Sequence, residues 1–121
     1  MLFDSNIIIY ATQPGHSGLH QFIVTNDPAV SIISYIEVLG YHRLGDADRQ
    51  LLKTLFALMD VLPLNNEIAE KAVSLRQQRS ISLGDAIIAA TALITRQTLV
   101  THNTADFRWI PDLILLDPLA D

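Results

Sequence analysis

The stretch Ser82–Asp106, SLGDAIIAATALITRQTLVTHNTAD, decides how the rest of the chain is arranged. Ser82 carries an oxygen suited to cap a helix, and Asp85 follows in what would be the first turn. AIIAATALI is apolar on nearly every face, so the spacing predicts a helix buried on more than one side. Arg96 and Gln97 end it, and TLVT reads as a short β-strand. The loop HNTAD then carries Asp106. A helix with an acid in its first turn, followed by a strand that delivers a second acid, places two carboxylates at one edge of a sheet.

Outward from this stretch the same grammar repeats. MLF ending in Asp4 is a very short strand, with Asp4 at its carboxyl end and also N-capping the next turn. IIIY after it reads as strand continuation or a first helical turn; the preferred reading is a strand of about three residues that ends at Asp4, which caps the turn that follows. Pro14, Gly15 and Gly18 mark a loop, Leu19 to Thr25 a helix, and Asn26-Asp27-Pro28 a turn. Ala29 to Ile33 is expected as a second strand. Ser34-x-x-Glu37 matches a capping box and opens a helix through about Leu44, broken by Gly45. Asp46 to Met59 forms a helix with Leu51, Leu52, Leu55, Phe56 and Met59 on one side. Val61 to Leu64 is a short strand. Asn65 or Asn66 caps a helix reaching about Arg79, with Ile68, Ala72, Val73 and Leu75 inward. Leu113 to Leu116 is an all-apolar strand, as a sheet covered on both faces requires. Strands alternating with helices imply an α/β fold of three layers, with a central, mostly parallel sheet of about five strands. Its functional crevice would lie at the carboxyl ends of the strands.

Composition narrows the chemistry. A chain of 121 residues has the size of one domain, and 50% apolar residues is ample for a core. The absence of cysteine excludes disulfides, thiolate metal sites and cysteine nucleophiles. No apolar run approaches the ~18 residues of a membrane span, and no leader is visible, so a soluble cytoplasmic protein is expected. A net charge of −5 argues against a broad basic nucleic-acid surface. It is compatible with acids that hold metal ions, whose charge offsets theirs locally.

Asp4, Glu37, Asp85 and Asp106 each follow a short apolar strand or open the helix beside one. In a parallel sheet these positions share one edge. Singly, each acid also reads as a helix cap or a partner of the helix dipole. Together they form a carboxylate cluster without histidine or cysteine, whose repulsion must be relieved by protons or by cations. Hard divalent ions, Mg²⁺ or Mn²⁺, suit an all-oxygen donor set. Magnesium takes only one or two protein carboxylates and completes its shell with water and phosphate oxygens, which suits phosphodiester hydrolysis better than a structural ion site.

The segments Asp4-Ser5-Asn6, Ser34 to Gly40 (SYIEVLG), Leu83 to Ala92 (LGDAIIAATA) and Leu99 to Phe107 (LVTHNTADF) occur in an order and spacing that resemble the PIN domain family, and within it the VapC-type toxin ribonucleases. The last two segments are the specific ones, and the resemblance spans almost the whole chain, read as a single PIN domain over 1–121. It implies a metal-dependent RNA endonuclease, homodimeric, inhibited by a cognate antitoxin, with no membrane association. It places Asp4, Glu37, Asp85 and Asp106 as the catalytic, Mg²⁺- or Mn²⁺-binding acids. Asp4 and Asp85 would anchor the principal ion, and Glu37 and Asp106 its waters or a second ion. Thr101 and Asn103 fall at positions that line the family's site, beside Ser5 and Asn6. Family members differ over whether the position of Asn103 or that of Asp106 completes the acidic set. Gly84 stands where proline is common.

Two other classes remain on the residues alone. A phosphatase with an aspartate nucleophile after strand one wants a second Asp two residues on, where this chain has Asn6. A receiver wants paired acids after strand one and a lysine after a late strand, and this chain has neither. A non-catalytic interaction module that keeps the fold is the other alternative. His102 is read as an exposed loop histidine. Tyr10, Phe22 and Trp109 are assigned to core or interface rather than to base stacking. Arg43, Arg49, Lys53, Arg76 and Arg79 are read as solvated surface.

Overall fold

The computed structural model describes residues 1–119. Among them, five short strands alternate with helices: β1 (Leu2–Phe3), α1 (Ser5–Ala11), α2 (Ser17–Thr25), β2 (Ala29–Ser31), α3 (Ile32–Leu39), α4 (Asp46–Phe56), β3 (Asp60–Leu62), α5 (Asn66–Gln78), α6 (Leu83–Thr95), β4 (Leu99–Val100), α7 (Thr104–Phe107) and β5 (Leu115–Leu116). The sheet order is β3-β2-β1-β4-β5, and every pairing among the described residues is parallel. The expected central parallel sheet of about five strands is the one formed.

Period-two alternation builds the three layers. Leu2, Ala29, Leu99 and Leu115 face α5, α6 and the Phe107–Ile110 segment. Phe3, Val30, Val100 and Leu116 face α1, α2 and α4. Helix α6 lies against the sheet with Ala86 through Ala92 all buried, including Ala86, Ala89 and Ala90 at 0% exposure, so that small side chains let it approach closely. Thr91 is buried there too and donates its hydroxyl to the Ile87 carbonyl at 2.7 Å. Arg96, in the left-handed conformation at φ 57°, closes the helix.

Several local expectations shift, each for a stated reason. Of the two readings of IIIY, the helical turn is the one formed: Asp4 accepts the Ser5 N–H at 2.8 Å and starts α1 at once. Strand β2 ends at Ser31, not Ile33, because the Ser31 hydroxyl accepts the Ile33 N–H at 3.2 Å and caps α3. The Ser34–Glu37 capping box is therefore not formed. Helix α3 stops at Leu39 with Gly40 as its cap, short of the expected Leu44. Helix α4 ends at Phe56, and Met59 is buried beyond it. Leu51 and Val73, both expected inward, are each 52% exposed: one more helical step carries them past the buried stripes of Leu52 and Leu55, and of Ala72 and Leu75. Strand β3 begins at Asp60, its pairing set by Ala29. Strand β5 covers only Leu115–Leu116 and is half-buried, as an edge strand with one neighbour must be.

An acid centre at the topological switch point

The chain leaves β1 for β2 on one side of the sheet and leaves β4 for β5 on the other. The gap between the β1 and β4 carboxyl ends is thus the point where the winding reverses, the place at which parallel α/β sheets open a crevice. Asp4 follows β1 and Thr101 follows β4. The Asp4 N–H donates to the Val100 carbonyl at 2.9 Å, which continues the ladder one residue beyond the strand.

Asp4 is 5% exposed. One carboxylate oxygen accepts the Ser5 N–H, and the other accepts the Thr101 hydroxyl at 2.8 Å. Thr101, itself fully buried, in turn accepts the Asn103 N–H at 3.0 Å. Burial raises the Asp4 carboxyl above the ordinary carboxylate range. The Thr101 and Ser5 hydrogen bonds oppose that rise, and the charges of Glu37 and Asp106 reinforce it. Asp85, half-buried at the third residue of α6, has its backbone N–H capped by the Ser82 hydroxyl at 3.1 Å. Its carboxyl is also raised, by burial first, then by the charge of Asp4, with Ser82 opposing and Asp106 adding to the rise. Each of these two acids therefore senses two others of the set: Asp4 the charges of Glu37 and Asp106, and Asp85 those of Asp4 and Asp106.

Glu37 is not in a first turn. It is the sixth residue of α3 and reaches the site from the side, its carboxylate 3.4 Å from the Ser5 hydroxyl. Asp106 rides on α7, a single turn that replaces the expected loop. Phe107, 1% exposed, pins that turn into the core, and the Asp106 carbonyl accepts the Trp109 indole N–H at 3.0 Å. Asn103 and Asn6 are exposed at the rim. Sequence reasoning missed Ser34: it is fully buried and accepts the Ser5 hydroxyl at 2.9 Å, steadying the residue between Asp4 and Glu37. A serine inside the apolar run IISYI was the available signal.

His102 is exposed, and its Nδ1 lies 3.1 Å from Asp117, tying the loop after β4 to the chain after β5. Arg49 pairs with Asp46, Arg79 covers the Trp109 ring, and Phe22 packs edge-on against Phe3. Beside Ser5, Asn6 and Glu37 opens a cavity of about 440 Å³, with Tyr41 and Arg43 on its far wall.

The donor chemistry fits a hard divalent cation: carboxylates only, of which Asp4 and Asp85 are desolvated and repelled by the charges of others in the set. Among the described residues no three acids or histidines gather tightly enough to hold an ion by themselves.

Two consequences can be measured. The raised carboxyls mean that the folded chain keeps protons on Asp4 and Asp85 where the unfolded chain has lost them. Their contribution to stability is complete below the ordinary carboxylate range and is lost as pH rises through the raised values. In EDTA, the melting temperature should fall as pH rises from the ordinary carboxylate range toward neutrality, with a shallower fall in Asp85→Asn. Equal slopes in the two chains would refute the origin of the shift. Separately, Thr101→Val keeps the shape but strips Asp4 of a donor and the Asn103 N–H of its acceptor. It should cost about 1–3 kcal/mol in urea unfolding, and Thr101→Ser should recover most of that.

The PIN domain family model matches residues 1–112. The fold superimposes on a chain of a toxin-antitoxin complex from Klebsiella pneumoniae with a TM-score of 0.79, at 32% identity, covering 99% of this chain and 98% of that one. A chain of VapBC-1 from nontypeable Haemophilus influenzae gives 0.78 at 26% identity, covering 96% of each chain. A chain of VapBC2 from Rickettsia felis, solved on a DNA fragment from its promoter, gives 0.80 at 22% identity, covering 95% of this chain and 96% of that one; at that identity it speaks for the fold alone. No curated protein sequence matches significantly.

Proposed function

Because this chain belongs to the PIN domain family, we propose that it is a nuclease of VapC type, and more narrowly a Mg²⁺- or Mn²⁺-dependent endoribonuclease that acts as the toxin of a type II toxin–antitoxin pair. What supports this reading is that Asp4, at the switch-point crevice, feels the charges of Glu37 and Asp106, and Asp85 feels those of Asp4 and Asp106, so acids from four separate chain segments interact. A helix cap explains one acid at a time and gives no reason for them to meet.

Asp4 and Asp85 would hold the cation, and Asp106 and Glu37 would supply further carboxylates for its waters or for a second ion. Asp4 is oriented for this by Ser5 and Thr101, whose hydrogen bonds occupy the carboxylate from behind. A bound divalent ion supplies Lewis-acid activation of water and neutralisation of the phosphodiester charge. Asn6, Asn103 and Ser5 line the approach as polar contacts for the RNA backbone. The 440 Å³ cavity gives a neighbouring nucleotide room, and Arg43 on its wall makes no ion pair among the described residues. The exposed Leu51 on α4 and the exposed Tyr35 and Ile36 on α3 supply apolar surface for the antitoxin and for a second copy of the chain. No helix among the described residues is long and apolar enough to cross a membrane.

Calorimetric titration with Mn²⁺ near neutral pH, paired with cleavage of a mixed RNA pool, tests the reading. Heat of binding and EDTA-sensitive cleavage are expected. A chain that binds no Mn²⁺ and leaves RNA intact is instead a non-catalytic module. Labelling of Asp4 by acetyl phosphate would move it to the phosphorylated class.

A further inference from the structure

Glu37 is the most loosely held acid of the centre. It is solvent-exposed, and the sole hydrogen bond to its carboxylate among the described residues is the long 3.4 Å contact from Ser5. The Ser5 hydroxyl sits closer to Ser34, at 2.9 Å. Hydrogen bonding therefore does little to locate the Glu37 carboxylate, and packing must.

The neighbour that sets the packing is Gly84, second residue of α6 and next to Asp85. A Cβ built there would stand 3.0 Å from Glu37 Oε2, 3.3 Å from Oε1 and 3.4 Å from the carboxyl carbon. These are the three nearest atoms, and all belong to one carboxylate. The backbone gives no other reason for glycine, since Gly84 has no positive φ and any residue can adopt its helical conformation. Glycine in a helix is in fact a disadvantage, because it orders more backbone freedom than alanine. Gly18 makes an instructive pair. It too is the second residue of a helix, α2, and a Cβ there would meet nothing within 4 Å.

We propose that Gly84 is a positioning residue of the acid centre: its missing side chain is the seat into which the Glu37 carboxylate leans, beside Asp85. The inference rests on the assignment of Glu37 to the metal-binding set. With a methyl group at 84 the Glu37 carboxylate must retreat by a few tenths of an ångström. It has the freedom to do so, because no short hydrogen bond holds it. The helix therefore gains while the centre loses.

The test compares Gly84→Ala with Gly18→Ala in the full chain. Both should melt at the same or a higher temperature, by about 1–4 °C, as expected where alanine replaces a helical glycine without strain. Only Gly84→Ala should weaken Mn²⁺ binding by calorimetry and slow RNA cleavage, each by roughly three- to tenfold, given that a misplacement of ~1 Å costs about a hundredfold. In a Glu37→Ala background Gly84→Ala should have no further effect on Mn²⁺ affinity, because the pair acts through one contact. Three results overturn the proposal: wild-type Mn²⁺ affinity in Gly84→Ala, a lowered melting temperature in that variant, or an undiminished Gly84→Ala effect in the Glu37→Ala background. A wild-type chain that neither binds Mn²⁺ nor cuts RNA refutes the ribonuclease assignment itself, and this inference with it.

Discussion

Asp85→Asn is expected to leave RNA essentially uncut, with cleavage reduced by about 10³-fold or more, while the metal-free chain melts at the same temperature or higher. The size follows from the task assigned to the carboxylate. A metal-held charge contributes several kcal/mol to the transition state, and each ~1.4 kcal/mol is tenfold in rate. The sign of the stability change follows from competing terms. The α6 dipole favours a negative charge near its N-terminus by about 0.3–1 kcal/mol. The carboxyl is nevertheless raised, so burial and the charges of Asp4 and Asp106 outweigh the dipole and the Ser82 hydroxyl. The amide removes that strain and keeps the cap, because the Ser82 hydroxyl accepts from the backbone N–H of residue 85 and not from its side chain. With Mn²⁺ added the order should reverse: wild-type gains stability by mass action, and the variant gains less. Wild-type cleavage by Asp85→Asn would refute its role in the centre.

Phe107→Ala is expected to produce the largest loss of stability, about 3–5 kcal/mol, the range for truncating a buried aromatic. Against a typical total of about 5–15 kcal/mol for a domain this is a major fraction, equivalent to a fall in melting temperature on the order of 10–20 °C. The residue is 1% exposed in the layer that includes Ile88, Leu99 and Ile110. Its loss should also reach the chemistry. Helix α7 is one turn long, too short to persist without tertiary support, and Phe107 is its buried residue. Cleavage measured well below the lowered melting temperature should therefore still fall, because Asp106 loses its bearing. Leu51→Ala, at a residue 52% exposed, provides the contrast and should change stability by no more than about 0.5 kcal/mol. Urea unfolding of the two variants decides the point: similar losses would mean that α7 is not anchored through Phe107.

Much of the centre was legible because the chemistry is written locally. Asp4 both ends a strand and caps a helix, and both roles depend on residues within one or two positions. Ser82 and Asp85 form a helix start in the same way. Glu37 was expected in a first helical turn, and its local structure differs: it is the sixth residue of α3. The Ser34–Glu37 spacing satisfies a capping box as well as Ser31 satisfies a cap, and only the pairing of β2 with β3 at Ser31–Leu62 decides which serine ends the strand. Ser34 is thereby freed to support Ser5.

What the amino-acid order determined by itself is the alternation of strands and helices, the all-apolar character of α6, and the placement of Asp4 at a strand end and of Asp85 at a helix start. These follow from nearest-neighbour chemistry: side-chain oxygens within reach of free N–H groups, and periodicities of 2 and 3.6. What only the tertiary structure decided is which segments meet. The order β3-β2-β1-β4-β5 puts β1 beside β4 and so brings Asp4 against Thr101, 97 residues later. The burial of Leu52 rather than Leu51, and the room at Gly84 that Glu37 fills, depend on surfaces supplied by distant parts of the chain. Packing is a property of pairs of surfaces, and a pattern along one strand or helix carries the shape of only one of them.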